Sequence, residues 1–366
     1  MKRIGIDARL INQTGVGVYI RNLLHYLQTS SGTVEYYVYA YPQDFDTIPN
    51  KAHLIKRPTP FRWHSVAEQT HFLRTLYEDK LDLMHFTYFS FPYLYLRPFV
   101  ITIHDLTPLL FKTGQATTLP TPLFHVKHTV YQHVLARGIK KSTQVIVPSE
   151  AVRSAIIHYF GHQYKNKIVV THEGIDFELQ KMKPDESIFT SINSFLKNSR
   201  YFIYIGNSYP HKNVEKMLKA FAQTKNTMKL IVVGPKDFFS ASITQLINNL
   251  GISERVLQLF NISQQEKIAL FKKAHALVQP SLTEGFGLPV VEAQYFGCPI
   301  VASKISVFDE ILHERTLRFD PYSQESMRKA LEQAAHQKLT TPKLDTKRFS
   351  FENMTQKTQQ IYTENV

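Results

Sequence analysis

Two glutamates separated by seven residues, Glu284 and Glu292, enclose the run Gly285-Phe286-Gly287-Leu288-Pro289. Proline suits the first turn of a helix, and the glycines ahead of it let a ligand approach backbone whose helix-start amides point outward. Such a segment takes oxygens that carry negative charge, with Glu284 in the loop and Glu292 in the first helical turn flanking one pocket. An ordinary Gly-Pro turn, its acids favourable to the helix dipole, would leave the same trace. A second chemical group is Lys212, in Ile205-Gly206-Asn207-Ser208-Tyr209-Pro210-His211-Lys212-Asn213. This lysine lies where a strand passes into a helix and can hold a diphosphate as a compact point charge, with Asn207 as a neutral donor beside it. A third is the His104-Asp105 pair, just past the apolar stretch Phe99 to Ile103. Lastly, Gly15-Val16-Gly17, two residues before Tyr19, makes a turn that could cradle phosphate or admit an acceptor by the same amide argument, or be no more than a tight turn.

These groups need elements to hold them. Arg3 to Asp7 is a short apolar strand, after which Val16, Ile20, Leu23, Leu24 and Leu27 recur at helical spacing. Strand-like runs follow at Tyr36 to Tyr41, Leu83 to Phe86, Phe99 to Ile103, Gln144 to Val147 and Ile168 to Thr171. The second half repeats the alternation at Tyr201 to Ile205, Lys229 to Val233, Val256 to Leu259, Ala276 to Gln279 and Ile300 to Ala302. Helices between them show apolar faces (Val214, Met217, Leu218, Phe221; Ile243, Leu246, Ile247, Leu250), and Ser263 with Glu266 forms a capping box. Ser149 reads as the N-cap of another helix. Alternating strands and helices imply parallel sheets covered on both faces. The expected organisation is an N-terminal domain over 1–180, a linker over 181–198 and a second domain over 199–345. Residues 346–366 are then a tail, read as a helix packing back on the first domain. Two doubly wound domains with their carboxyl edges facing across a cleft would place every group above at the ligand-binding ends of the strands.

The Glu284 to Glu292 segment resembles the E-x7-E signature of the retaining GT-B glycosyltransferases of family 4, and the likeness runs along nearly the whole chain. It includes Asp7-Ala8-Arg9, Thr14 to Tyr19, Val147-Pro148-Ser149-Glu150 and His172-Glu173-Gly174-Ile175-Asp176. The resemblance implies that Glu284 contacts the donor sugar, that Glu292 bonds the nucleotide ribose, and that the backbone of Gly285, Phe286, Gly287 and Leu288 faces the sugar. It implies also that Lys212 binds the donor phosphates, that His104 is the strand-end histidine that contacts the donor sugar and joins Glu284 and Lys212 in catalysis, and that Gly15 and Gly17 lie on the donor side. Asp105 and Tyr19 are then candidates for the acceptor side. Asn207 stands where many members carry an arginine. The implied enzyme moves a hexose from a nucleotide sugar to a glycan or lipid-linked saccharide. GDP-mannose is the first expectation, from a likeness to bacterial mannosyltransferases of polysaccharide assembly; UDP-glucose and UDP-N-acetylglucosamine come next. No cofactor and no metal are expected. Asp44 and Asp46, an Asp-x-Asp pair able in principle to hold a divalent ion, are read as exposed loop residues.

The bulk properties bound this reading. The chain has 366 residues, 43% of them hydrophobic and 20% charged, enough for two cores. Its formal charge of +13 is spread over both halves, which favours anionic partners but gives no nucleic-acid arm. The N-terminus carries charge without an apolar run after it, and the most apolar window is broken by Pro92, Arg97 and Pro98, so a cytoplasmic protein is expected. Leu119 to Lys141 mixes apolar and basic residues. It fits either a peripheral helix on the inner face of the membrane or a core-facing amphipathic helix. The lone Cys298 reads as a small buried residue before a strand. Rival readings are a sugar-nucleotide epimerase, a phosphorylase requiring pyridoxal phosphate, a dinucleotide oxidoreductase lacking a full Gly fingerprint, and a noncatalytic sugar-nucleotide-binding protein.

Overall fold

In a computed structural model, the described residues are 1–29, 34–110, 121–341 and 343–366, with side chains of the helix at Thr121–Lys141 described from Lys127 onward. They form two compact units: residues 1–177 with 346–366, and residues 178–345. The first holds β1 (Lys2–Asp7), β2 (Val34–Ala40), β3 (Leu54–Pro58), β4 (Leu83–Phe86), β5 (Phe99–Thr102), β6 (Gln144–Val147) and β7 (Ile168–Val170). The second holds β8 (Tyr201–Ile205), β9 (Lys229–Gly234), β10 (Val256–Phe260), β11 (Ala276–Gln279), β12 (Ile300–Ser303) and β13 (Leu317–Phe319). Fully buried runs such as Phe99-Val100-Ile101-Thr102 and Ala276-Leu277-Val278-Gln279 show why: strands covered on both faces are apolar along their length.

All strand pairs are parallel. The first sheet runs β3-β2-β1-β4-β5-β6-β7 and the second β10-β9-β8-β11-β12-β13. In each, strand order reverses once, between β1 and β4 (Ile6 opposite His85) and between β8 and β11 (Phe202 opposite Ala276). A crevice opens at such a reversal, because the loops leaving the two strands depart to opposite faces.

Residues 346–366 return to the first unit. Ser350 caps the helix Phe351–Glu364 through a bond from the Asn353 amide, and the helix buries Phe351, Met354, Ile361 and Tyr362. Tyr362 Oη lies 2.6 Å from His85 Nδ1, and His85 Nε2 lies 2.8 Å from Thr102 Oγ1. Residues 181–198, expected as a linker, contribute instead to the second unit. The helix Ile188–Leu196 buries Ile188, Ile192 and Leu196, and Glu186 pairs with Lys273 at 2.7 Å. Burial of one apolar helix face is what turns a connection into part of a core.

Two edge strands, β3 and β13, were not anticipated from the sequence. Asp44, expected in an exposed loop, is buried, and its Oδ1 accepts a hydrogen bond from Asn12 Nδ2 at 2.8 Å; Asp46 is exposed. Cys298 is buried, which pushes its thiol up to about 12. In the helix Thr121–Lys141, Leu135 and Ile139 are buried, and Tyr131 and Val134 pack against the first core. The described part of that helix is therefore core-facing. Leu119 and the side chains of Leu123, Phe124 and Val126, part of the membrane-surface expectation, lie outside the described residues. Among the described residues no helix is long and apolar enough to cross a membrane.

Candidate active site

At the reversal point of the second sheet, the loop after β8 delivers Lys212 and the loop after β11 delivers Glu284. Lys212 Nζ donates to both carboxylate oxygens of Glu284, at 2.8 and 2.7 Å. Their side chains are only 18% and 8% exposed. Glu284 Oε1 also accepts from Ser281 Oγ at 2.7 Å and from Gln279 Nε2 at 3.1 Å. Burial alone would push this carboxyl up. The charge and hydrogen bonds of Lys212, the Ser281 hydroxyl and the nearby His211 outweigh it and hold Glu284 below the usual carboxylate range.

The two loops are tied to each other. Leu282 N–H donates to His211 O at 2.8 Å, and Asn213, in the left-handed region at φ 60°, sends its side-chain amide to Pro280 O and Pro321 O at 3.0 and 2.9 Å. Asparagine tolerates that conformation, and its buried amide fixes where Lys212 emerges. Asn213, Ser281 and Gln279 are site-building residues for which no role was read from the sequence.

The helix Leu288–Tyr295 begins after Gly287, whose φ of 98° leaves no room for a side chain: a Cβ would lie 2.8 Å from Phe308 Cε1. Pro289 occupies the first turn, and the Val290 N–H turns back onto Gly287 O at 2.9 Å. Phe286 is buried, so only its backbone can serve a ligand. Glu292 is nearly buried and accepts from Lys267 Nζ at 2.8 Å. Lys267 comes from the helix Gln264–Lys273, whose Ser263/Glu266 capping box is formed. Both glutamates thus meet a lysine, and the two lysines come from different loops and helices. Asn207 is partly exposed; its main-chain oxygen accepts from the Tyr204 hydroxyl at 2.5 Å and its Oδ1 faces the Tyr209 amide.

In the first unit, His104 sits past the carboxyl end of β5. Its Nε2 donates to Thr87 O at 2.9 Å, and Nδ1 lies 3.3 Å from Glu173 Oε1. Tyr19 packs edge-on against this imidazole, centroids 4.9 Å apart. Tyr19 is itself buried, its hydroxyl 3.2 Å from Thr102 Oγ1, so it positions His104 and cannot face an acceptor as anticipated. Asp105 is exposed, with Oδ1 accepting from Thr107 N–H at 2.8 Å. The Gly15-Val16-Gly17 turn also departs from expectation. The amides of Val16 and Gly17 donate to Thr14 O and Gln13 O, and a Cβ on Gly17 would meet Ile11 O at 2.4 Å. Gly17 is a packing glycine. Gly15, exposed at φ 67°, remains at the helix start. Ser149 caps its helix, accepting from Val152 N–H at 3.2 Å. Among the described residues, no group of three or more His, Cys, Asp or Glu side chains is placed to hold a metal ion.

Residues 13–179 match the model of Glycosyltransferase Family 4, and residues 186–349 match that of Glycosyl transferases group 1. The chain belongs to the GT-B family 4 glycosyltransferases. Over 239 residues this glycosyltransferase is 28% identical to the O-antigen chain mannosyltransferase RfbU of Salmonella typhimurium, covering 64% of the present chain and 60% of that protein. It is 24% identical over 282 residues to O-antigen chain mannosyltransferase B of Escherichia coli, covering 74% of each. Its fold is shared by Anabaena HepE, solved in complex with UDP and glucose (TM-score 0.74, 17% identity, both chains fully covered). It is shared also by sucrose-phosphate synthase from Thermosynechococcus elongatus (TM-score 0.73, 17% identity, 100% and 99% covered).

Proposed function

We propose that this glycosyltransferase is a retaining hexosyltransferase that takes mannose from GDP-mannose and adds it to a hydroxyl of a glycan or lipid-linked saccharide. The observation that carries the donor side is the near-buried Lys212–Glu284 pair at the reversal point of the second sheet. The mannose assignment rests on the mannosyltransferase relatives.

When the anomeric C–O bond of a sugar nucleotide breaks, positive charge grows on the ring and negative charge on the departing diphosphate. Lys212 faces the phosphate and Glu284 the sugar hydroxyls and ring. Each member of the pair then stands beside the developing charge of opposite sign, at positions fixed by Asn213, Ser281 and Gln279. Glu292, oriented by Lys267, binds the ribose. The acceptor oxygen bonds to the anomeric carbon, and its proton passes to the leaving phosphate oxygen, so atoms and charge balance without an enzyme nucleophile and without a metal. The first unit takes the acceptor, with Asp105 offering polar atoms to its hydroxyls, and His104 serves the donor sugar.

Release of nucleoside diphosphate from GDP- and UDP-sugars, with glycan and lipid-linked acceptors, tests the reading. GDP-mannose should be consumed only with an acceptor, and both Lys212→Ala and Glu284→Ala should abolish release. Conversion of donor without acceptor would instead indicate an epimerase, and donor binding with no turnover across the panel would indicate a noncatalytic protein.

A further inference from the structure

The carboxyl edge of the first sheet bears an aromatic surface, next to His104, whose Trp63 and Tyr88 have no part in the donor site. It is assembled from the loops after β3, β4 and β5. Trp63, the only tryptophan in the chain, meets Tyr88 edge-on, with centroids 5.8 Å apart and ring planes at 86°. Tyr88 lies 4.3 Å from Phe89 and stacks towards His104 at 6.4 Å with 28° between planes. Trp63 and Tyr88 are partly exposed and Asp105 is exposed, while Phe89 packs beneath them against Tyr131 and the first core, and His104 is held by Thr87 and Glu173. Rings assembled only for the core would be closed over, whereas those of Trp63 and Tyr88 stand at the strand ends where doubly wound sheets receive ligands.

The support beneath Trp63 is fixed. The next residue, His64, is left-handed at φ 58°, and Glu68 Oε2 holds that turn by accepting the His64 N–H at 2.9 Å. Glu68 Oε1 accepts from Arg9 Nη2 at 2.7 Å, and Arg9 also forks onto Asp7 at 2.9 and 2.6 Å while lying 4.2 Å over the Phe72 ring. A buried Asp–Arg–Glu triad adds little net stability compared with apolar packing. What this one does is fix a turn that presents an indole. Glu68 also opens a π-helical turn, Glu68–Phe72, a distortion common beside functional sites.

The chemistry of the surface is mixed. A hexopyranose has a face of C–H bonds and a rim of hydroxyls; the face sheds water against an aromatic ring, and the rim needs acceptors and donors. Asp105, whose Oδ1 already accepts the Thr107 N–H, has lone pairs left to accept hydrogen bonds from sugar hydroxyls, and its charge is felt by the Tyr88 hydroxyl, which burial and then Asp105 push up. A bare phosphate would be repelled by that carboxylate, and an acyl chain would gain nothing from it. We propose that Trp63 and Tyr88, with Asp105, form a subsite that stacks and hydrogen-bonds one pyranose ring of the acceptor. The acceptor is then recognised by its sugar and not by its lipid or phosphate. This rests on the reading above that the first unit takes the acceptor.

The single tryptophan makes the subsite directly observable. Emission of Trp63 is followed while the full-length protein is titrated with α-mannotriose, maltotriose, chitotriose or a sugar-free polyisoprenyl phosphate, to about 10 mM for the saccharides, enough to fill a site with a Kd of about 1 mM. At least one trisaccharide should change the emission saturably, and Tyr88→Ala should weaken that titration about fivefold or more. In transfer assays, Trp63→Ala should raise acceptor KM about tenfold, Trp63→Phe should restore most of the loss, and donor KM should hold. No response to any saccharide, or a response to polyisoprenyl phosphate alone, overturns the subsite. Donor turnover that persists with acceptor KM unchanged in Trp63→Ala overturns it too and leaves the transferase reading intact. Absence of turnover in the unsubstituted protein refutes the transferase reading itself.

Discussion

Replacing Lys212 with methionine removes the ammonium and keeps most of the stem. Glu284 is then left with the Ser281 hydroxyl and the Gln279 amide as donors in a side-chain environment only 8% exposed. Breaking a buried ion pair from one side costs about 3–5 kcal/mol. Lys212 is 18% exposed and two neutral donors remain, so the lower end, about 3 kcal/mol, is expected. For a unit the size of residues 178–345 that corresponds to a fall in Tm of about 6–12 °C. The pH dependence has a definite sign. In the unsubstituted protein Glu284 is held below its unfolded value, so its contribution is present above that value and is lost as pH falls through the folded one. In Lys212→Met, burial acts without the lysine and the folded value rises above the unfolded one, so the penalty is full at neutral pH and fades as acid protonates the carboxyl. Scanning calorimetry at about pH 8 and about pH 5 should therefore show the gap between the two proteins narrowing in acid, and Lys212→Met/Glu284→Gln should recover much of the loss at neutral pH. Equal melting temperatures, or a gap constant with pH, would refute the claim that these two charges depend on each other in a near-buried site.

Glu292→Ala should raise donor KM with little change in kcat, since charged hydrogen bonds worth about 1.5–3 kcal/mol are lost to a part of the donor remote from the broken bond; steady-state kinetics with varied donor decides it. Arg9→Met should destabilise the first unit by about 3–5 kcal/mol, because Asp7 and Glu68 both lose their buried partner, and urea unfolding followed by Trp63 emission reads it. His85, pushed down to about 3 by burial and by neighbouring His104, stays neutral in the native state while the unfolded chain takes up a proton below about pH 6.5. Stability from this group is fully present above that pH and falls by about 1.4 kcal/mol per pH unit down to about 3, a slope that His85→Asn should reduce in urea titrations. Gly287→Ala should cost about 1–3 kcal/mol, since φ is 98° and the new methyl would press on Phe308, and the thermal midpoint of the variant tests it.

Much of the framework was legible because parallel strands are apolar along their whole length. β4, β6, β8 and β11 fall at the bounds read from the sequence. The two strands that escaped notice are edges: Leu54-Ile55-Lys56-Arg57-Pro58 is half-exposed and polar at its end, and Leu317–Phe319 is three residues long. Such segments draw their order from one neighbour and carry little periodicity of their own. The chemistry-bearing residues were visible as types at strand ends, yet their partners were not. Glu284 meets Lys212 from 72 residues away, and Glu292 meets Lys267, whose neighbouring Ser263/Glu266 capping box marks a helix start but no ligand contact. Tyr19 shows the opposite error. It sits four residues before Leu23 on the helix face that carries the buried leucines, and that spacing outweighs the polar hydroxyl that suggested an acceptor contact. Trp63 and Tyr88 could not be joined beforehand, because they leave different strands and meet only once the sheet order is known.

The return of the helix Phe351–Glu364 to the first unit carries a consequence for the order in which the protein is made. Synthesis delivers residues 178–345 as one uninterrupted stretch, so the second unit can complete its sheet while the ribosome is still at work. The first unit cannot: its seven strands are available early, but His85 waits for Tyr362, and the apolar surface that will receive Met354 and Ile361 stays uncovered until residues 346–366 have been made. Of the two units, the one begun first is thus the one completed second. A nascent chain halted shortly after residue 345 would carry a sound second unit beside an open first one, with the surface that invites chaperones or aggregation confined to a single, nameable face.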